Sequence, residues 1–169
     1  MVDTILSLLN SIFGTSFYAK CIITFIISMV PIVELRGAIP IGATILGLPV
    51  HTAAIISLVG NMVPVPFIIV FIRKIFGWMR KKSPRLGFLA DKFENRAKAK
   101  GAKLYRRELI GLLVFVAIPL PGTGAWTGSL IAALLDIRLK AALPVIGAGV
   151  LIAGVIVTGI TYGFTALLF

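Results

Sequence analysis

Polar residues are so sparse along this chain that the few breaks in its apolar runs carry its organisation. Two long apolar runs, residues 18–48 and 109–135, are each interrupted near the middle by proline and glycine. The first interruption reads Met29-Val30-Pro31-Ile32-Val33-Glu34-Leu35-Arg36-Gly37-Ala38-Ile39-Pro40, and the second reads Ala117-Ile118-Pro119-Leu120-Pro121-Gly122-Thr123-Gly124-Ala125-Trp126. Each run is too long for one simple membrane crossing and too short for two. Residues 53–72 carry no charge and, at about 1.5 Å per residue, reach across a hydrocarbon core of about 30 Å. Pro64 and Pro66 are expected to kink that helix. A second crossing is expected from Leu143 to Leu167, where glycines at 147, 149, 154, 159 and 163 allow close helix packing. At the N-terminus Val2, Ile5, Leu6, Leu9, Ile12 and Phe13 recur at helical spacing, opposite Asp3, Ser7 and Asn10, which predicts an interfacial helix within residues 1–16.

Composition agrees with a membrane protein. Hydrophobic residues make up 59% of 169 positions and charged residues 14%, with a mean hydropathy of +1.06, too little polar surface to cover a soluble core. The formal charge of +11 is concentrated. Thirteen of the seventeen basic residues fall between Arg73 and Arg107, and Arg138 and Lys140 sit in a later break. Cytoplasmic segments carry the Lys/Arg excess, which places 73–107 and 136–140 inside the cell. Ser83-Pro84 reads as a helix start, after which Leu86, Leu89, Phe93, Ala97 and Leu104 mark one face, with Glu94 and Lys98 paired on another. A basic amphipathic helix of this kind suits the anionic inner leaflet, so membrane lipids are the expected partner and nucleic acid is not.

Threading the chain through a bilayer then gives an all-α integral membrane protein made of two inverted repeats. Each repeat is a re-entrant helical hairpin plus a transmembrane helix: residues 17–72 form the first, 108–169 the second, and the basic connector 73–107 joins them. Both termini are expected outside the cell, in a multi-pass plasma-membrane protein. Broken helices at matching places in two halves are a sequence pointer to a transport site.

Glu34 is the only carboxylate between Asp3 and Asp91, and the threading puts it at membrane depth. A charge there costs at least about 2.5 kcal/mol, so it should face a polar cavity or a partner. If desolvation prevails over the attraction of Arg36, Glu34 takes up and releases protons and couples transport to the proton gradient. The bland alternative is that Glu34 and Arg36 neutralise each other and pin the turn. Arg36 has a fixed charge and a forked geometry suited to phosphate or carboxylate. A half-helix beginning near Gly37 or Ala38, with Pro40 inside it, would turn free amides toward the same point. In the second hairpin Pro119, Pro121, Gly122, Thr123 and Gly124 form a turn that lets a ligand approach the backbone. Trp126 either stacks on a flat ligand or fills space. Asn61, in the middle of a span, either bonds the first turn or bridges helices. His51 reads as interfacial. With one histidine and one cysteine (Cys21) the chain offers no metal constellation, no disulfide and no credible catalytic set, so neither a cofactor nor an enzyme is expected.

Glu34-Leu35-Arg36-Gly37-Ala38-Ile39-Pro40 and Pro119-Leu120-Pro121-Gly122-Thr123-Gly124-Ala125-Trp126-Thr127-Gly128 resemble the small multidrug export protein family of bacteria and archaea, over essentially the whole chain. The architecture is also similar to the DedA and VTT group, whose paired re-entrant hairpins are associated with moving lipids, polyprenyl phosphates among them. The chain departs from that group in lacking paired arginines around a proline in its second hairpin. The resemblance implies an exporter of small amphipathic compounds with its site between the two hairpins. A translocase of anionic lipids is the alternative, and a non-transporting scaffold the third. One chain can scarcely surround two polar hairpin tips, so a homodimer is expected.

Overall fold

The computed structural model describes residues 16–82, 102–120 and 122–168. The expected interfacial helix at the N-terminus and the amphipathic stretch from Ser83 through Lys98 lie outside them. Among the described residues all regular structure is helical: α1 (Phe17–Met29), α2 (Glu34–Pro40), α3 (Val50–Met62), α4 (Pro64–Lys82), α5 (Ala102–Ala117), α6 (Ala125–Leu134) and α7 (Leu139–Leu168). Two stretches are long and apolar enough to cross a membrane: Val50–Ile75, through α3 and α4, and Leu139–Gly163 in α7. They count 26 and 25 residues, and a hydrocarbon core of about 30 Å takes about 20. They begin a few residues before the expected crossings. The chain divides into two units, residues 1–61 with 154–169 and residues 62–153.

In the first unit, α1 starts where Ser16 Oγ accepts a hydrogen bond from the Ala19 amide at 3.3 Å, satisfying one of the helix's free donors. Its buried face carries Ala19, Ile23, Thr24 and Ser28. The two hydroxyls are tolerated there because each donates back into its own helix, Thr24 to the Lys20 carbonyl at 2.8 Å and Ser28 to the Phe25 carbonyl at 2.7 Å. Pro31 then ends the helix by forcing Val30 into an extended conformation (φ −72°, ψ 128°). Ile32 (φ 81°) and Glu34 (φ 48°) both take left-handed backbone that costs a side-chain-bearing residue energy.

The break is tighter than the sequence suggests. Residues 31–40 were expected as the turn, with a half-helix from Gly37 or Ala38, but the chain is helical again from Glu34. Gly37 is a packing glycine rather than a breaker: a Cβ there would lie 2.5 Å from Val33 Cγ1. Pro40 removes only the amide that would bond Arg36, and the helix widens into a π-type turn over Ile41–Ile45 directly after it. Gly47, at φ 67°, closes that arm. The two arms pack through Ile23, Ile27 and Leu46. Gly42 sits at their junction with α3, where a Cβ would be 3.0 Å from both Thr24 and Ala53. Further along α3, a Cβ on Gly60 would collide with Ser28 Oγ and lie 2.7 Å from the Phe25 carbonyl, so α3 lies backbone-close to α1.

In the second unit, α5 is flanked by α6 and α7. A Cβ on Gly128 would come within 2.5 Å of Val116, and one on Gly149 within 2.7 Å of the same residue. Helix α4 packs along α6, with Val65 and Ile69 fully buried. Helix α6 ends in a Schellman pair, Ile137 N–H to the Ala132 carbonyl (2.9 Å) and Asp136 N–H to the Ala133 carbonyl (3.2 Å). Asp136 occupies the left-handed position (φ 54°) usually held by glycine.

Candidate functional site

The residues singled out by the sequence fall in two groups, one in each unit. In the first unit the break after Pro31 sets Glu34 at the head of α2 and Arg36 two residues on. Arg36 Nη2 donates to Glu34 Oε2 at 2.7 Å, a charge-assisted contact with side chains only 3% (Glu34) and 15% (Arg36) exposed. The contact spans the first turn of α2. The guanidinium is not fully satisfied by it: Nη1 is buried and has no acceptor among the described residues. Gly37 lies against Val33, and Pro40 lies within the helix, where it frees the Arg36 carbonyl.

Asn61 is fully buried at the end of α3, and neither its Oδ1 nor its Nδ2 has a partner among the described residues. Ser57, one helical turn earlier on the same face and equally buried, also has an unpartnered Oγ. Such groups are rare in folded proteins, because each unpaired buried atom costs about 1–3 kcal/mol. The first unit thus carries a polar interior of Thr24, Ser28, Glu34, Ser57 and Asn61 inside an otherwise apolar chain. Sequence reasoning missed Ser57. Its signal was the i,i+4 spacing to Asn61 within an uncharged span. His51 is exposed at the start of α3.

The second group is organised by one hydroxyl. Thr123 Oγ1 accepts from the Leu120 amide at 3.2 Å and lies 2.6 and 2.8 Å from the Ile118 and Leu120 carbonyls, knotting the turn onto itself. Gly122 (φ 85°) and Gly124 (φ 123°) take backbone conformations closed to other residues. Pro119 is half-buried at the mouth of this turn. Pro121 lies outside the described residues. Trp126, on the first turn of α6, is half-buried and faces α4, where it helps line an apolar cavity of about 700 Å³ with Pro66, Phe67, Val70, Phe71 and Lys74. Next to Lys74, Arg73 forms an ion pair with Asp136 at 3.1 Å and donates to the Ile137 carbonyl at 2.6 Å, fixing α4 to the Schellman turn. The sequence did not single out Lys74, because it sits at the head of a basic run that reads as topology alone.

The apolar spans and the all-helical build of the described residues point to a membrane protein with few interior polar groups, Glu34 among them at the helix break after Pro31. Residues 34–156, well over half of the chain, match the model of the family described as putative small multi-drug export proteins, and the chain belongs to that family. The match begins at Glu34 itself. No curated protein and no solved structure gives a significant match.

Proposed function

We propose that this protein is a polytopic plasma-membrane transporter that exports small amphipathic compounds in exchange for protons, with Glu34 as the proton carrier. The observation that carries this reading is the burial of Glu34 against Arg36 in a chain of this hydropathy. Uncharged residues would pin a turn without the cost of desolvating two charges. The family description supports the export direction. The arms α1 and α6, at 13 and 10 residues, extend about 20 and 15 Å, short of the hydrocarbon core, which supports re-entrant hairpins and an inverted repeat. The charge pattern supports a cytoplasmic side for 73–107 and 136–140, the former against anionic lipids of the inner leaflet. A homodimer is favoured by Gly159 and Gly163 on α7, which have no close neighbour among the described residues. No enzymatic step is assigned.

A second reading, translocation of an anionic lipid in the manner of the DedA group, draws on Nη1 of Arg36, a buried donor with no acceptor among the described residues.

The test measures proton release on addition of amphipathic compounds to protein in weakly buffered detergent, and lumenal pH in proteoliposomes. Wild type, Glu34→Gln and Glu34→Gln/Arg36→Gln are compared. Glu34→Gln strands a buried guanidinium and is expected to destabilise the fold by about 3–5 kcal/mol, most of it recovered in the double variant. Proton release is expected to vanish in both. A double variant that is stable and still moves protons with substrate would reduce the pair to a turn clamp and overturn the assignment. Release driven only by a polyprenyl phosphate and lost on Arg36→Gln would favour the lipid reading.

A further inference from the structure

The cavity between α4 and α6 has an uneven chemistry that says what it accepts. Phe67, Val70, Phe71 and Lys74 stand at i, i+3, i+4 and i+7, one stripe along α4. Pro66 continues the apolar wall, and Trp126 supplies the facing side. Lys74 is exposed and forms no ion pair among the described residues, in contrast to its neighbour Arg73, which is committed to Asp136. A charge with no ion pair among the described residues therefore lies at one end of a greasy slot, and the axial rise from Phe67 to Lys74 is about 10 Å. At about 700 Å³ the cavity has the size of a drug-binding pocket. Lys74 is also next to last in the Val50–Ile75 span, so the charged end of the slot lies where the span ends and the aromatic end points toward its middle.

We infer that this slot is a binding site for small amphiphiles whose charged end is anionic, the head on Lys74 and the tail along Phe71, Phe67 and Trp126. A cationic head would meet the Lys74 ammonium, which has no carboxylate partner among the described residues. The inference rests on the export reading above and narrows its substrate class. The aromatic walls suit a single chain or a flat ring system, in keeping with the preference of tryptophan and phenylalanine for broad apolar contact.

The experiment uses the full-length chain with Trp78→Phe, which leaves Trp126 as the only tryptophan. Brominated dodecyl phosphate and brominated dodecyltrimethylammonium, equal in chain length, are titrated as quenchers in a non-ionic detergent. Saturable quenching by the phosphate, about tenfold tighter than by the ammonium, is expected. Lys74→Gln should remove that preference, and added salt should weaken it. Phe71→Ala should weaken both probes alike. Equal affinity for the two heads, or a preference that survives Lys74→Gln, would overturn the inference. So would quenching by brominated phosphatidylglycerol in nanodiscs that dodecyl phosphate fails to displace, which would make the slot a resting place for bilayer lipid. Transport is read separately in proteoliposomes. A protein that exports cationic amphiphiles but shows no anion preference keeps the export reading and loses this one. A protein that binds the phosphate probe yet moves nothing loses the export reading and keeps this one.

Discussion

Asn61 sits where stability and function pull apart. Its amide has an acceptor and two hydrogens, none of them used among the described residues, and Ser57 adds an unpartnered hydroxyl on the same face. Replacing such a group with an apolar one of similar volume removes the desolvation penalty without opening a cavity. Asn61→Leu in purified protein is therefore expected to raise the midpoint of thermal unfolding, by an amount corresponding to about 1–3 kcal/mol, while reducing transport in proteoliposomes. Ser57→Ala should act in the same direction by less. A fall in the unfolding midpoint for Asn61→Leu would show that the amide is paired in the membrane-embedded protein and serves as interhelical glue. Residues such as Glu34, Arg36 and Asn61 are legible in the sequence because a polar group in an apolar run has no cheap place to go. Ser57 and Lys74 are not. Serine hides easily by bonding its own helix, as Ser28 does, and a lysine in a cluster of thirty-odd basic-rich positions loses its individuality. The pairing of Glu34 with Arg36 is the bland alternative the sequence offers, and its geometry depends on a helix that restarts at Glu34, three residues before Gly37.

The elements are legible where proline speaks and less so where glycine does. Pro31 ends α1 and Pro64 opens α4, as the ring geometry requires. Glycine has two unrelated uses, freeing the backbone and letting another helix approach, and a single sequence does not tell them apart. Gly122 and Gly124 do the first and Gly60, Gly128 and Gly149 the second. The left-handed corner at Asp136 was invisible for the complementary reason: an aspartate fills a place where glycine would have announced it. The distinction can be measured within the second unit. A Cβ at Gly149 would lie 2.7 Å from Val116 Cβ and 3.1 Å from the Leu113 carbonyl, and neither atom can swing aside. Gly149→Ala is expected to destabilise the protein by about 1–3 kcal/mol through forced separation of α5 and α7. Gly111, on α5, has nothing within 4 Å among the described residues, and alanine there should be neutral or stabilise the helix by up to about 1 kcal/mol. Thermal unfolding of the two variants in the same detergent checks the contrast. Equal behaviour would mean that α5 and α7 are not held at the separation described.

At the scale of the whole molecule the remaining question is what covers the outer face of α7 beyond the glycines already used. Gly149 and Gly154 meet Val116 and Leu58 within the chain, whereas Gly159 and Gly163 meet nothing among the described residues and lie one helical turn apart on an exposed face. In a bilayer, leaving such a flat stripe against lipid gains little, because lipid tails fill a shallow groove poorly, while a second helix can approach closely along it. The neighbouring exposed side chains, Val155, Ile156, Ile160 and Tyr162, are large enough to frame that approach. The proposed homodimer is thus expected to pack α7 against its copy at these two glycines. Mass measurement in mild detergent should give a dimer for the wild type and a monomer for Gly159→Ile/Gly163→Ile. Gly111→Ile, which enlarges an equally open glycine on another helix, should leave the dimer intact. In a Cys21→Ser background, Gly163→Cys should form an intermolecular disulfide under mild oxidation, since backbones packed at small residues bring these positions within bonding reach. A monomeric wild type, or a dimer that survives both isoleucines without cross-linking at 163, would place the chain's partners elsewhere. Loss of transport together with loss of the dimer, at unchanged unfolding temperature, would tie function to the assembly rather than to the fold of one chain.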